Sequence, residues 1–236
     1  MKRRGILVTG TDTGIGKTHV AVRLVRALQS EGLTVAAMKP VASGAVRVGD
    51  AWLNDDALEL QRAAALDIPY DWVNPFVFRM AASPHLAARV EGVVVDLDRL
   101  VDALDRLAAL ADCVVVEGVG GWRVPLNDDE DMADLARRFD LPVVLVVGLR
   151  LGCINHARLT AEAILDSGLV MGGWIANELF PRSQGSQDML YALEEIMGQP
   201  LLKMPFEPLQ EGGVLTTNNP MEMVEILRLV APSASI

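Results

Sequence analysis

The sequence has few cysteines and no long apolar run. It contains two cysteines, Cys113 and Cys153, which are 40 positions apart, and this spacing indicates neither a metal-binding motif nor a disulfide framework. No apolar stretch approaches the roughly 18 residues of a membrane span. The run Ile6-Leu7-Val8 is too short for the hydrophobic region of a signal peptide. We therefore expect a cytoplasmic protein that does not associate with a membrane.

Basic residues are also in short supply. Lys and Arg number 21 against 31 Asp and Glu, which gives a net charge of −10. Nucleic-acid binding requires an extended cationic surface, so the composition predicts no nucleic-acid partner, although a few lysines could still hold a small phosphate ligand. Hydrophobic residues make up 51% of the chain and charged residues 22%, which excludes intrinsic disorder.

Apolar runs alternate with amphipathic helical patterns along the whole chain. The candidate strands are residues 5–9, 33–38, 113–117, 142–148, 170–177 and 201–204. The run Val143-Val144-Leu145-Val146-Val147 is continuous rather than alternating, as in a parallel strand that is buried on both faces. We predict one doubly wound α/β domain over residues 1–236, with a mostly parallel sheet, helices on both faces and ligands at the carboxyl ends of the strands. Residues 44–54 are predicted to be a polar loop.

A glycine-rich segment lies between the first predicted strand and the first predicted helix. It reads Gly10-Thr11-Asp12-Thr13-Gly14-Ile15-Gly16-Lys17-Thr18. Glycines allow the backbone N–H groups to turn towards phosphate oxygens, and the helix N-terminus adds partial positive charge. In such a loop Lys17 reaches the β- and γ-phosphates and the Thr18 hydroxyl can bind Mg²⁺. Because Gly10 and Gly16 enclose five residues rather than the four of the strict motif, Thr11 replaces the first glycine.

Three charged residues at predicted strand or helix ends are candidates for the same phosphate and Mg²⁺ site. Lys39 ends the second strand, and it is either a solvated charge or a second cation facing the same phosphates. Glu117 ends the run Val114-Val115-Val116, and it is either an ordinary strand-end acid or a carboxylate on the Mg²⁺ side. Asp56 opens a predicted helix, where it complements the helix dipole or completes a Mg²⁺ shell.

Several ordered motifs together resemble the dethiobiotin synthetases, ATP-dependent carboxylases of biotin synthesis, from residue 5 to about residue 208. Beside the phosphate loop they are Lys39-Pro40-Val41-Ala42-Ser43-Gly44, Asp56-Ala57-Leu58, Ser83-Pro84-His85, Glu117-Gly118-Val119-Gly120-Gly121-Trp122 and Leu151-Gly152-Cys153-Ile154-Asn155-His156. The resemblance implies a P-loop NTPase-like fold and a homodimer that acts on 7,8-diaminopelargonate, CO2 and ATP. It implies a carbamate, then a mixed carbamic–phosphoric anhydride, then closure of a cyclic urea.

The family pattern also implies where the ligands bind. It gives Lys39 and Lys17 the catalytic roles and Mg²⁺ the ligands Thr18, Asp56 and Glu117. The ATP site comprises Gly14, Ile15, Gly16, Lys17, Thr18, His19, Asp56, Glu117, Gly118, Val119, Gly120 and, towards the base, Asn177, Glu178, Pro205, Phe206 and Glu207. The diamine or carbamate lies near Thr13, Lys39 and Ser43, and the substrate carboxylate is held across the dimer interface by Gly152, Cys153, Ile154 and Asn155.

The chain departs from the family at two positions. Residue 14 is glycine where glutamate is common. In some members an aromatic residue helps to hold the substrate tail, and the aligned position here falls at about Met189, which is not aromatic. Two other kinds of nucleotide enzyme fit the sequence less well. A glutamine-dependent ligase would need a glutaminase domain with a nucleophilic cysteine, and a cell-division or partition switch carries a lysine at the place of Asp12. A plain nucleotide-binding module is less consistent with the presence of both Lys39 and Glu117.

Overall fold

A computed structural model describes residues 3–181, 185–206 and 220–230, with side chains from residue 225 onward in the last range. Its strands are β1 (Gly5–Gly10), β2 (Val35–Met38), β3 (Val41–Ser43), β4 (Val46–Val48), β5 (Ala51–Leu53), β6 (Phe76–Phe78), β7 (Cys113–Glu117), β8 (Val143–Leu149), β9 (Met171–Glu178) and β10 (Leu202–Met204). Its helices are α1 (Lys17–Ser30), α2 (Asp55–Ala64), α3 (Tyr70–Val73), α4 (Pro84–Glu91), α5 (Leu97–Leu110), α6 (Met132–Phe139), α7 (Cys153–Asp166), α8 (Ser186–Met197) and α9 (Pro220–Val230).

Six parallel strands form the central sheet in the order β10-β9-β8-β1-β7-β2. Strand β7 lies between β1 and β2, so the second strand is not the direct neighbour of the first. Val8 pairs in register with Glu117, and Gly10 pairs with Val146. The carboxyl ends of β7, β1 and β8 therefore meet at one edge, where ligands bind in doubly wound folds.

The central strands are buried on both faces, as the continuous apolar runs predict. In β8, Val144 and Val146 face a core formed with α1, α2 and α9. Val143, Leu145 and Val147 face a second core formed with helices α3 to α8. This layering confirms the predicted α/β fold with helices on both faces. Among the described residues no helix is long and apolar enough to cross a membrane.

The prediction of a polar loop over residues 44–54 is wrong. Strands β4 and β5 form an antiparallel hairpin there, in which Val48 pairs with Ala51. The turn is made by Gly49, with φ of 61°, and Asp50. A Gly-Asp turn between two short apolar runs is a hairpin signal, but each of these exposed strands has only three residues, which is too short to stand out in the sequence.

Candidate active site

The phosphate loop between β1 and α1 has a conformation that requires glycine at residue 16. Gly16 has a φ of 85° and precedes the first helical residue. A Cβ there would lie 2.3 Å from Nδ2 of Asn177. Asn177 is buried on β9 and donates a hydrogen bond from Nδ2 to the Ile15 carbonyl, at 2.8 Å. The side chain expected near adenine therefore also clamps the loop.

Lys17 is folded back onto the loop that contains it. Its Nζ donates a hydrogen bond to the main-chain oxygen of Asp12 at 2.7 Å, and the residue is only 6% exposed. Burial and the nearby charge of Lys39 lower the pKa of Lys17 to about 8, against the attraction of Glu117 and other carboxylates. A phosphate bound in the loop would favour the charged form.

Four of the predicted side chains meet where β7 and β2 end. Lys39 Nζ lies 2.5 Å from Glu117 Oε1 and 3.1 Å from Asp56 Oδ2. Thr18 donates a hydrogen bond from Oγ1 to the same Glu117 Oε1, at 2.9 Å. Lys39 and Glu117 are buried, whereas the side chain of Asp56 is 47% exposed. The structure thus brings the second predicted cation and all three predicted Mg²⁺ ligands into direct contact.

The charges of this cluster stabilise one another. Burial alone would lower the pKa of Lys39, but Glu117 and Asp56 outweigh it, so this pKa lies above its usual value. Burial would likewise raise the pKa of Asp56, but the charge of Lys39 and hydrogen bonds from Lys39 and Thr18 hold it below its usual value. The ammonium and the carboxylate of Asp56 are therefore both ionised at neutral pH.

Lys39 reaches Glu117 because its backbone is fixed beyond the end of β2. Its N–H donates to the carbonyl of Val73 at 2.7 Å, and its carbonyl accepts a hydrogen bond from Asn74 Nδ2 at 2.6 Å. Asn74 is buried and also accepts a hydrogen bond from the hydroxyl of Tyr70, at 2.9 Å. Although β7 separates β2 from β1, the side chain extends over Glu117 towards the phosphate loop.

A hydrogen bond with Asn54 connects Ser43 to the helix that carries Asp56. Ser43 ends β3, and its carbonyl accepts a hydrogen bond from Asn54 Nδ2 at 3.3 Å. The Asn54 side-chain oxygen caps α2 by accepting a hydrogen bond from the N–H of Ala57 at 3.3 Å. This cap fixes the start of the helix that carries Asp56, which is the second helical residue.

The glycines after Glu117 lie against the phosphate loop. The N–H of Gly118 donates to the Val8 carbonyl at 2.9 Å. Gly120 has a φ of 60°, and a Cβ there would lie 3.7 Å from Oγ1 of Thr13. Val119, between them, is half-buried. Of the remaining loop residues, Gly14 and Thr13 are exposed, Ile15 is buried and His19 is half-buried in α1.

The turn from β8 into α7 carries the residues predicted to hold the substrate carboxylate. Gly152, with φ of 93°, precedes α7, and Cys153 N–H donates to the carbonyl of Arg150 at 3.0 Å. Gly152 and Asn155 are exposed, Ile154 is half-buried and Cys153 is buried. Cys153 Sγ lies 3.7 Å from Sδ of Met189, so Met189 does lie beside this turn.

The residues expected at the base lie at the ends of β9 and β10. Glu178 Oε2 accepts a hydrogen bond from the N–H of Phe206, at 3.5 Å. A cavity of about 280 Å³ opens beside them and includes Glu178 and Pro205 in its lining. Glu207 lies outside the described residues.

Sequence reasoning missed three residues that position this site. Asn54 and Asn74 fix Asp56 and Lys39, and Arg150 forms an ion pair with Asp12 of the phosphate loop. Asn54 could have been found, since an asparagine before Asp-Asp at a helix start is a capping signal. Arg150 follows a predicted strand that ends at the ligand edge. Asn74 carries no local signal, because the contact through which it fixes Lys39 joins residues 35 positions apart.

Comparisons with known proteins show which family the chain belongs to. A family model described as an AAA domain matches residues 4–208. The ATP-dependent dethiobiotin synthetase BioD of Pseudomonas paraeruginosa is 52% identical over 196 residues, which cover 83% of this chain and 86% of that protein. The protein of the same name from Aromatoleum aromaticum is 49% identical over 199 residues, which cover 84% and 88%. The chain belongs to the dethiobiotin synthetase family. The family resemblance seen in the sequence motifs is thereby confirmed.

A solved structure outside the relatives named above shares the fold of this dethiobiotin synthetase family member. A ParA family ATPase from Chlorobium tepidum superposes with a TM-score of 0.50 over 98% of this chain and 91% of that chain, at 14% identity. At this identity the likeness concerns the fold alone. The α/β, P-loop NTPase-like architecture is confirmed.

Proposed function

We propose that this protein is an ATP-dependent dethiobiotin synthetase that carboxylates 7,8-diaminopelargonate and closes its cyclic urea. Relatives of that name, about half identical over most of the chain, support the activity. At the site, the observation that carries the proposal is the meeting of Lys39, Thr18 and Glu117 beside the phosphate loop. Two cations and an anion-binding loop suit the transfer of a phosphoryl group to a carboxylate-like acceptor.

The proposed reaction has three steps. One amine of the substrate forms a bond to CO2 and releases a proton, which gives a carbamate. A carbamate oxygen attacks the γ-phosphorus of ATP, the bond from phosphorus to ADP breaks, and a carbamic–phosphoric anhydride forms. The second amine attacks the anhydride carbon, a proton is released, and phosphate leaves as the ring closes.

In this proposal the two lysines stabilise negative charge during phosphoryl transfer. Lys17 would leave the Asp12 carbonyl and bind the β- and γ-phosphates. Lys39, fixed by Glu117 and Asp56, would face the carbamate and the transferring group. Thr13 and Ser43, which border the loop and the Asp56 helix, would hold the diamine or carbamate. Because the transition state is mainly electrostatic in character, the protein needs no nucleophile.

The residues around Glu117 fit a magnesium ion. Glu117 Oε2 is buried and has no hydrogen-bond partner in the described part of the chain. Mg²⁺ takes one or two carboxylates beside phosphates and water, and Glu117 and Asp56 are the two carboxylates that contact Lys39 here. Thr18, Asp56 and Glu117 would hold it. When bound, the ion would neutralise charge on the β- and γ-phosphates.

We also propose a homodimer in which the substrate carboxylate binds at the start of α7. The exposed N-terminus of that helix, from Gly152 to Asn155, suits an anion. Three leucines in and just before α7, Leu151, Leu159 and Leu165, are exposed, and these are apolar side chains that such an interface would cover. A cytoplasmic location stays a prediction from the sequence.

The test of function is ADP release in mixtures that lack one component. Complete mixtures contain the diamine, bicarbonate, Mg²⁺ and ATP, and dethiobiotin is measured by mass spectrometry. We expect ADP and dethiobiotin in equal amounts, and neither when the diamine is omitted. ADP release that does not depend on the diamine would contradict the proposed function.

A variant of Lys39 tests the mechanism. Lys39→Gln should lower kcat far more than it weakens ATP binding, because its charge is needed as the anhydride forms. Arg137→Gln, which removes a cation from an exposed pair with Asp134 on α6, is the matched control and should retain wild-type kcat. Equal losses of kcat and ATP affinity in Lys39→Gln would assign Lys39 to binding alone.

A further inference from the structure

Arg150 connects the phosphate loop to the turn that begins α7. It directly follows β8, whose neighbour β1 leads into the phosphate loop. Its Nη2 forms an ion pair with Oδ2 of Asp12. Its carbonyl accepts the hydrogen bond from Cys153 that closes the turn before α7. One residue therefore contacts both parts of the chain to which substrates are assigned above.

Asp12 uses three oxygens in three different contacts. Oδ2 pairs with Arg150, Oδ1 accepts a hydrogen bond from the N–H of Thr13 at 2.7 Å, and the main-chain oxygen accepts Lys17 Nζ at 2.7 Å. A movement of the Asp12 side chain would therefore shift the backbone of Asp12, which accepts the hydrogen bond from Lys17, and the backbone of Thr13. The guanidinium of Arg150 fixes that side chain from the end of the neighbouring strand β8.

The pair is poorly suited to a role in folding stability. The two side chains are 41% and 45% exposed, and ion pairs exposed to this degree contribute little to stability. The catalytic rate responds more strongly to a small displacement than folding stability does. Displacing a reacting group by 1 Å slows catalysis by on the order of 100-fold. The contact is thus better explained by placement of the loop.

We propose that Arg150 is a positioning residue, which acts through Asp12 to hold the phosphate-loop backbone at Asp12 and Thr13 in place for phosphoryl transfer. This inference rests on the proposed function. It assigns Arg150 no contact with substrate. It also accounts for an acidic residue at position 12, in a loop whose ligand is anionic, because the charge of Asp12 is paired with Arg150.

The test compares Arg150→Ala, Asp12→Asn and the double variant in steady-state dethiobiotin formation. Each single variant should lower kcat by about tenfold, with KM for ATP and for the diamine changed by less than about twofold. If the two residues act as one unit, the double variant should lose no more than the worse single variant. Arg150→Lys, which keeps the charge but not the planar fork, should recover part of kcat.

Arg137→Ala removes an arginine from a comparable exposed pair and should behave as wild type. Unfolding temperatures of all variants should match that of wild type. Unchanged kcat in Arg150→Ala, or losses that multiply in the double variant, would overturn the inference. A raised KM for the diamine in Arg150→Ala, with kcat unchanged and Asp12→Asn behaving as wild type, would also overturn it, because Arg150 would then bind the substrate directly. Wild-type protein that forms no dethiobiotin would contradict the proposed function as well, whereas active wild type with unaffected variants contradicts only this inference.

Discussion

Glu117→Gln removes one charge from the buried pair at the centre of the site. Glu117 is 0% exposed and Lys39 is 4% exposed, and their nearest polar atoms are 2.5 Å apart. The glutamine keeps the size of the side chain but leaves the Lys39 ammonium without its closest counter-charge. Asp56 remains at 3.1 Å, although it is half-exposed and therefore compensates less.

Breaking a buried ion pair by removing one partner costs about 3–5 kcal/mol of folding free energy. Because Asp56 still contacts Lys39, we expect a loss near the lower end, about 3 kcal/mol at pH 7. For a chain of this size, each kcal/mol lowers the unfolding temperature by about 2–4 °C. Glu117→Gln should therefore unfold at a temperature about 6–12 °C below that of wild type.

The loss should depend on pH in a defined direction. In the wild type the pKa of Lys39 is raised, so its contribution to stability is complete below the usual lysine pKa and is lost as the pH rises through the folded value. In the variant, burial should dominate and lower this pKa. The variant then gains stability relative to wild type as alkaline pH removes the proton from Lys39.

Urea unfolding at neutral and alkaline pH measures these differences. The double variant Glu117→Gln/Lys39→Met, which lacks both charges of this pair, should be more stable than Glu117→Gln alone. Glu195→Gln, at an exposed position on α8, is the control and should change stability by less than about 0.5 kcal/mol. The reasoning is refuted if Glu117→Gln unfolds as wild type does or if the double variant is the less stable of the two.

Three further predictions concern the phosphate loop and α7. Because the pKa of Lys17 is lowered to about 8, kcat/KM for ATP should fall as the pH rises through this value. The remaining activity of Lys17→Arg should lack that decline, because arginine stays charged. A wild-type profile of kcat/KM that stays flat to about pH 10 would contradict this prediction. Gly14→Ala should lower the free energy of unfolding, measured in urea, by about 1 kcal/mol, because of its positive φ alone. Gly16→Ala should lower it by more than about 2 kcal/mol, because only at residue 16 would the added Cβ contact Asn177. Equal losses in the two variants would exclude the steric contribution of Asn177. Leu159→Glu should sediment as a monomer with reduced activity, whereas a fully active monomer would exclude a shared carboxylate site.

Most of the central sheet could be predicted because its strands are buried on both faces. Such strands read as uninterrupted apolar runs, as residues 143–147 do, and all six predicted strands are present. The phosphate loop could be predicted for a different reason. Its glycines and Lys17 are adjacent in the chain, so the local pattern specifies the site without knowledge of the sheet order.

The remaining features depend on contacts between distant residues. The position of β7 between β1 and β2 is what places Glu117 beside Thr18, 99 positions earlier in the chain. The sequence predicts that Lys39 and Glu117 each end a strand, yet it does not order those strands. The pair of Arg150 with Asp12 joins residues 138 positions apart. Asp12 lies in the phosphate loop and Arg150 follows a predicted strand, but nothing near either residue in the sequence identifies the other as its partner.

The two oxygens of Glu117 explain how an acidic chain could hold a triphosphate. Oε1 contacts both Lys39 and Thr18, whereas Oε2 has no partner within the described residues. A buried carboxylate oxygen without a partner costs on the order of 1–3 kcal/mol of folding free energy. A cation that contacts Oε2 would offset this cost. Because Oε1 keeps Lys39 charged and in place, such a cation would add to the positive charge of the site instead of replacing it. The net charge of −10 therefore says little about the local field, in which Lys17, Lys39 and the loop N–H groups determine what binds.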